Sequence, residues 1–475
     1  MKRASIALCL LSLAAAARAE DLLSVYDSAV KNDPQIREAD ATRLANRESR
    51  PQAIARLLPQ ASGTLARSRQ WTDGTGLSGL VIGNVVQPTV TGGQGVTDTD
   101  SWSLSIRQNL FSWANWATLF SASHEVAQAE ADYLTARQSL AQRVSTQYFA
   151  VLNAMDNVAA QEAAREAFAR QADQAEKRFE VGLIAITDVQ EARSARDRAA
   201  ADVIAAKRTL ASAQEQLRAT TGTKYSVLNA PDETLPLLTP QPASEDEWVK
   251  ISMEQNATLT SSRLAADIAR DQVKIAFGGH VPTVDLVAGR TYSDSDGFRN
   301  IPPGPPLNLP QRSTTTSTSY GKSLSLQVTV PLFSGGGTQS LVRESQYRWI
   351  AAKERLERTS RTTEQQARDA YLGVISAISQ VQALKQALES SQTALRATEA
   401  GYEVGTRTAV DVLDARRQLI ANQTAYSQSK FTYLSNLIAL RLASGDLDRN
   451  TLEELNKWLV VPSQAPAPTP TPPAP

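Results

Sequence analysis

Two stretches of this chain share one pattern, and each marks a place where a long helix must stop and reverse. The first reads Arg178-Phe179-Glu180-Val181-Gly182-Leu183-Ile184-Ala185-Ile186-Thr187-Asp188-Val189-Gln190. The second reads Gly401-Tyr402-Glu403-Val404-Gly405-Thr406-Arg407-Thr408-Ala409-Val410-Asp411-Val412. In both, a helical pattern arrives at an aromatic and meets a lone glycine, the residue that most readily adopts the left-handed conformation ending a helix. Thr187-Asp188 and Asp411 then give start signals for a second helix. Residues 179–188 and 402–411 are therefore expected to be the tips of two helical hairpins.

Gly182 and Gly405 are 223 residues apart, as are Pro59 and Pro282, Tyr148 and Tyr371, and Gly222 and Gly445. A long period occurring only twice predicts an internal two-fold repeat, not a short-repeat solenoid. The expected organisation is a first repeat over 20–230, a proline-rich join over 231–242 and a second repeat over 243–456. Residues 457–475, rich in Pro and Ala, read as a disordered tail.

Residues 1–19 read as a signal peptide: Lys2 and Arg3, an apolar stretch, then Ala17-Arg18-Ala19 as the cleavage site. The single cysteine, Cys9, falls inside that stretch, so the mature chain is expected to carry no thiol, disulfide or thiolate metal site. Acidic and basic residues balance at 49 each, with no basic block, which argues against nucleic acid as a partner. No other apolar run is long enough for a transmembrane helix. His124 and His280 are the only histidines and lie in no ligand-spaced cluster, and Gly335-Gly336-Gly337 lacks the Lys-Ser/Thr of a phosphate loop. No enzyme, cofactor or metal site is expected.

Four stretches alternate apolar and polar residues with period two, the mark of a strand with one apolar face. Strands are expected at about 60–72, 100–112, 283–293 and 321–333. The first is the weakest, because Arg67 and Arg69 fall in phase with Leu65. Aromatics such as Trp71, Trp102, Tyr292, Tyr320 and Phe333 stand near strand ends, as at membrane–water interfaces. The polar segments 72–100 and 293–321 are expected to be exposed, mobile loops. From Trp113 to Val181 there is neither Gly nor Pro, which at 1.5 Å per residue allows about 100 Å of helix. On the returning helix, Val189, Ala192, Ala199, Val203, Ala206, Leu210, Ala213 and Leu217 form a coiled-coil seam broken at Arg196. Residues 452–460 read as a short terminal helix.

Four strands cannot close a barrel, and an open sheet edge is not tolerated in lipid. Several chains must then share one barrel, in multiples of four strands. The alternative is a periplasmic coiled-coil adaptor, also built of helical hairpins; strands of membrane length with aromatic ends argue against it.

Residues 181–190 and 401–415 resemble the tip motifs of the TolC family of outer-membrane channel-tunnels, as do Tyr148-Phe149-Ala150-Val151-Leu152-Asn153-Ala154 and Gly279-His280-Val281-Pro282-Thr283. The resemblance runs from residue 20 to about 456. It implies a mostly α protein with membrane β structure: a homotrimeric 12-stranded outer-membrane β-barrel, four strands per chain, continuous with a long periplasmic α-helical coiled-coil barrel. It implies an exit duct in the cell outer membrane for drugs and secreted proteins, opened by a periplasmic adaptor and an inner-membrane RND or ABC transporter. By the same resemblance Thr187, Asp188, Tyr402 and Arg407 latch the closed periplasmic end, Asp188 accepting from Tyr402 within the chain and meeting Arg407 of a neighbour. Asp411 and Asp414, three residues apart on one helix face, would ring the constriction with six carboxylates and favour cations. Solvated tip charges, and for Asp411 a helix-dipole role, are the plainer readings of the same residues. Val181, Gly182, Leu183, Val404, Gly405 and Thr406 would dock the adaptor, since they place apolar side chains at an otherwise polar end. The proline-rich segment 301–310 and the tail depart from the family pattern.

Overall fold

The computed structural model describes residues 20–461 except 84, 226, 233, 234, 306 and 307. The expected signal peptide, with Cys9, and residues 462–475 of the expected tail lie outside the described residues, whereas 457–461, expected as the start of that tail, are described and include the paired residues Leu459–Val460. In chain order the elements are α1 (Leu22–Asn32), α2 (Pro34–Arg47), α3 (Ser49–Ala55), β1 (Gln60–Thr72), β2 (Thr75–Ile82), β3 (Val85–Gly92), β4 (Gln94–Phe111), α4 (Trp113–Glu180) and α5 (Ile186–Thr221). Then come β5 (Ala230–Pro231), α6 (Glu245–Gln255), α7 (Ala257–Phe277), β6 (Thr283–Ile301), β7 (Gln311–Thr329), α8 (Gly337–Glu403), α9 (Ala409–Ala443), α10 (Arg449–Asn456) and β8 (Leu459–Val460). Two compact units result, one of residues up to 45, 127–263 and from 354, the other of 46–126 and 264–353.

The first unit is helical. Its main core gathers Leu22 and Val25 from α1, Leu140, Val144 and Tyr148 from α4, Leu217 from α5, and Phe431, Leu434 and Ile438 from α9. Tyr148 is fully buried, and its hydroxyl donates to the carbonyl of Asn229 at 2.7 Å and of Glu20 at 3.2 Å. Two chain joints are built alike. Asp33 accepts from the Gln35 amide at 2.9 Å to start α2, and Asn256 accepts from the Leu259 amide at 3.0 Å to start α7. Both are side-chain oxygens satisfying helix donors that have no partner within the helix. The α5 seam buries Val189, Ala192, Ala195, Ala199, Val203, Ala206, Ala213 and Leu217. The break expected at Arg196 is absent, because Ala195 takes the seam position and Arg196 turns out to pair with Asp197. The expected helix over 452–460 starts earlier and stops sooner: Asp448 caps α10 at 2.9 Å from the Thr451 amide, and Leu459–Val460 pair with Ala230–Pro231 as strands instead.

The second unit holds an antiparallel sheet in the order β1-β4-β6-β7. Leu65, Trp102, Tyr292 and Tyr320 stand opposite one another in register and form one row across all four strands. Trp102 and Tyr292 stack at 6.2 Å between ring centres, and Tyr320 lies tilted against Tyr292 at 5.2 Å. Toward the helical end, the same face carries the rows Ile106, Ala288, Leu324 and then Leu286, Leu326. The opposite face carries small polar residues, such as Ser101, Ser293 and Ser319 in one row.

The expected mobile loops are largely strand. β4 starts at Gln94, β6 continues to Ile301, β7 starts at Gln311, and β2 and β3 form a hairpin between them and β1. Beyond the aromatic row, the next two rows on that face are Arg67, Asp100, Asp294, Thr318 and Arg69, Asp98, Asp296, Thr316, which pair through the backbone without an apolar phase; one further row, Trp71, Val96 and Phe298, is apolar. This also explains β1: Arg67 and Arg69 lie past the aromatic row and meet Asp100 at 3.5 Å and Asp98 at 2.6 Å. β7 stops at Thr329, short of the expected 333, because Pro331 has no N–H to donate. Among the described residues, no helix is long and apolar enough to cross a membrane.

Candidate functional site: the two hairpin tips

Both tips close with the same backbone bonds. Leu183 N–H reaches the Arg178 carbonyl at 2.9 Å and Gly182 N–H the Phe179 carbonyl at 2.8 Å. Thr406 N–H reaches the Gly401 carbonyl at 2.8 Å and Gly405 N–H the Tyr402 carbonyl at 3.2 Å. These are Schellman motifs, which need a left-handed residue at the turn. Gly182 and Gly405 supply it, with φ of 77° and 79°. Space around both glycines is open, so backbone conformation and not crowding requires them. Val181, Leu183 and Val404 are exposed beside the two turns, at 69%, 72% and 76%. Thr406 donates to the Gly401 carbonyl at 3.1 Å, which fixes its hydroxyl against its own tip.

The second helices start differently. Thr408 caps α9 in a capping box: it accepts from the Asp411 amide at 3.2 Å, while the Asp411 carboxylate accepts from the Thr408 amide at 2.9 Å. At the first tip, Ala185 precedes α5 and offers no side-chain cap, so Thr187 and Asp188 lie inside the first turn and do not begin it.

The expected hydrogen bond from Tyr402 to Asp188 is not formed. The Arg178 guanidinium lies over the Tyr402 ring, 4.9 Å from its centre, and the carboxylate of Asp188 has no partner in the described chain. Asp188 and Tyr402 nevertheless line one cleft of about 300 Å³ with Gln171, Arg178, Glu399 and Arg416. Gln171 Oε1 and Arg416 Nε are buried in that region without hydrogen-bond partners. Arg407 stands exposed, its aliphatic stem lying over Gly401.

Asp411 and Asp414 are not bare carboxylates within one chain. Hydrogen bonds from the Thr408 backbone and hydroxyl hold the Asp411 carboxyl below its ordinary value, with Arg407 adding to the effect. Asp414 meets Arg417 at 2.9 Å. Two residues that sequence reasoning missed are Arg178, which occupies the Tyr402 face, and Arg416, which pairs with Glu399 across the second hairpin. The signal for the latter was available: Arg193 pairs with Glu176 at 2.7 Å across the first hairpin, 223 residues earlier at each end. Among the described residues, no cluster of His, Cys, Asp and Glu could hold a metal ion.

A four-stranded antiparallel sheet with an aromatic row, together with helical hairpins of this length, is the architecture of outer-membrane channels. The structure of VceC from Vibrio cholerae superposes with a TM-score of 0.70 at 21% identity, covering 89% of this chain and 96% of that one. The chain is 34% identical over 460 residues to the outer membrane protein TolC of Escherichia coli, spanning 96% of this chain and 88% of that protein. It is 28% identical to the alkaline protease secretion protein AprF of Pseudomonas aeruginosa, over 91% and 86% of the two chains. The family model for outer membrane efflux proteins matches residues 25–223 and again 248–446, and the chain belongs to that family.

Proposed function

We propose that this protein is a passive exit duct of the outer membrane, serving efflux pumps and type I secretion. Three chains share one 12-stranded barrel, and the hairpin tips lie in the periplasm, where an adaptor docks and an inner-membrane RND or ABC transporter supplies the energy. The observation that carries this reading is the sheet itself. One face carries apolar rows, then the row Leu104, Arg290 and Lys322, then an aromatic row, and β1 and β7 are each paired on one side only. Such edges are tolerated in lipid only when another chain completes them. The two matches to one family model, offset by 223 residues, support a duplicated chain.

At the tips, Asp188, Thr187, Tyr402 and Arg407 act as a latch whose links form between neighbouring hairpins of the ring. The free Asp188 carboxylate and the exposed Arg407 support this, since neither forms an ion pair among the described residues and both are open to a neighbouring hairpin. Exposed ion pairs contribute roughly 0.2–1 kcal/mol each, enough for a gate that yields to partner contacts. Asp411 and Asp414 form the cation-attracting ring. Val181, Gly182, Leu183, Val404, Gly405 and Thr406 meet the adaptor.

Deletion of the gene in its own host, with complementation by the full chain, tests the function. Loss of drug export and of secreted protease, restored by the wild-type chain, is the expected result. An unchanged export profile, with no other duct induced, overturns it.

A further inference from the structure

Resting on the reading that the apolar sheet face meets lipid, we propose that Arg290 and Lys322 form a docking surface for a phosphorylated glycolipid of the outer leaflet.

Arg290 on β6 and Lys322 on β7 stand directly opposite each other in the register. Two like charges in that position repel and destabilise a sheet. Neither is neutralised within the chain: among the described residues no carboxylate pairs with either, and the one contact of Arg290 is the Trp102 ring, 5.8 Å away. The nearest acids on this face, Asp100 and Asp294, lie two rows farther out, about 13 Å along the strands. They are occupied there by Arg67 at 3.5 Å and by the Thr318 hydroxyl at 2.6 Å. The aromatic row stands between them and the two cations. Both cationic side chains are exposed.

Their height suits a headgroup. From Val330 to Lys322 the chain climbs eight residues, which is about 20 Å at the usual strand tilt, against an apolar band about 25 Å tall. The pair therefore sits at the outer rim of the apolar band, where a lipid phosphate lies. A guanidinium offers a planar fork that matches phosphate oxygens, and an ammonium adds a point charge.

The next rows select a sugar-bearing lipid. Trp102, Tyr292 and Tyr320 offer aromatic faces immediately above the cations, and Asp294 and Asp296, each using one oxygen to accept from Thr318 and Thr316, keep the other carboxylate oxygen for hydroxyl groups. A second phosphate placed at that outer level would meet carboxylates and be repelled. The surface thus fits phosphate at the cation row, sugar rings at the aromatic row and sugar hydroxyls at the acidic rows.

The full-length protein, extracted from its outer membrane in mild detergent, is assayed by mass spectrometry for retained phosphorylated glycolipid. Arg290→Ala with Lys322→Ala should lower the retained amount about tenfold, whereas Arg290→Lys with Lys322→Arg should restore it. Arg299→Ala, which removes a cation from the opposite face of β6, should leave it unchanged. Wild-type retention in the double alanine variant, or equal loss in Arg299→Ala, overturns the proposal. Vesicles guard against a folding artefact: wild-type protein is unfolded by heat in phosphatidylcholine doped with phosphorylated glycolipid, its dephosphorylated form, or phosphatidylglycerol. Stabilisation by the first alone is expected; equal stabilisation by either of the others overturns the assignment. Normal insertion with heat-modifiable migration in a variant that has lost its lipid keeps this test separate from the duct reading.

Discussion

The Arg178 guanidinium lies over the ring of Tyr402, 4.9 Å from its centre, and so joins the last turn of α4 to the last turn of α8. The phenol hydroxyl is left unused by this contact, which holds the ring and not the oxygen. An exposed cation–π contact contributes about 0.5–1 kcal/mol.

Tyr402→Phe keeps that contact and removes only the hydroxyl, and Arg407→Ser removes an exposed cation that forms no ion pair among the described residues and acts on Asp411 only as the smallest contribution to its lowered pKa. The double variant should therefore fold normally and gate poorly. Conductance in planar bilayers should rise several-fold, with thermal stability close to wild type. Wild-type conductance in this variant would place the gate elsewhere, in the packing of the coiled coils.

Gly405 separates two effects. At φ of 79° any side chain is strained, so Gly405→Ala should cost about 1–2 kcal/mol of local stability. Gly405→Asn should cost less, because Asn tolerates this region. Gly405→Trp adds bulk in open space at the proposed docking tip, and export should fail at normal abundance and normal assembly. Export by Gly405→Trp at the wild-type rate would remove this tip from adaptor docking.

The sign of the Asp411 effect follows from its hydrogen bonds. Its carboxyl titrates below the ordinary value of 3.8, so the capping box stabilises the folded tip above that pH and is lost as pH falls through the lowered value. Amide protection factors at 408–412, taken against the intrinsic rate at each pH, should fall below about pH 4, and Thr408→Ala should move the onset upward. In an assembled ring, mutual repulsion of the acids would oppose this shift. Asp411→Ala with Asp414→Ala should abolish block of the channel by trivalent cations from the periplasmic side; unchanged block would exclude the ring.

Four strands per chain in the proposed 12-stranded barrel predict three chains per particle. Light scattering of the detergent-solubilised protein, corrected for bound detergent, should give three times the mass of the chain. A stable monomer with full β content would defeat the shared barrel.

The tips and long helices were legible because glycine and its absence act locally: Gly182 ends a helix without internal Gly or Pro, and at the second tip Gly373 and Gly401 stay helical while Gly405 takes the positive φ that ends the helix. The outer halves of the strands were not legible. A row such as Arg69, Asp98, Asp296 and Thr316 is paired through backbone and ion pairs, and its side chains carry no apolar phase. The seam through Ala195 was hidden because Arg196 stands next to it, and a one-residue shift in a 3-4 pattern is easily misread. Arg178 was missed because its partner, Tyr402, is more than two hundred residues away in the chain. Only the fold brings cation and ring together.

The half-paired edges of β1 and β7 have a genetic consequence. If each chain both offers and accepts an edge, one damaged edge spoils a ring that contains two sound neighbours. In a cell making equal amounts of intact and edge-damaged chain, random mixing of three leaves about one ring in eight wholly intact. An edge lesion should thus act as a dominant poison, while a null allele at the same dosage leaves every assembled ring sound.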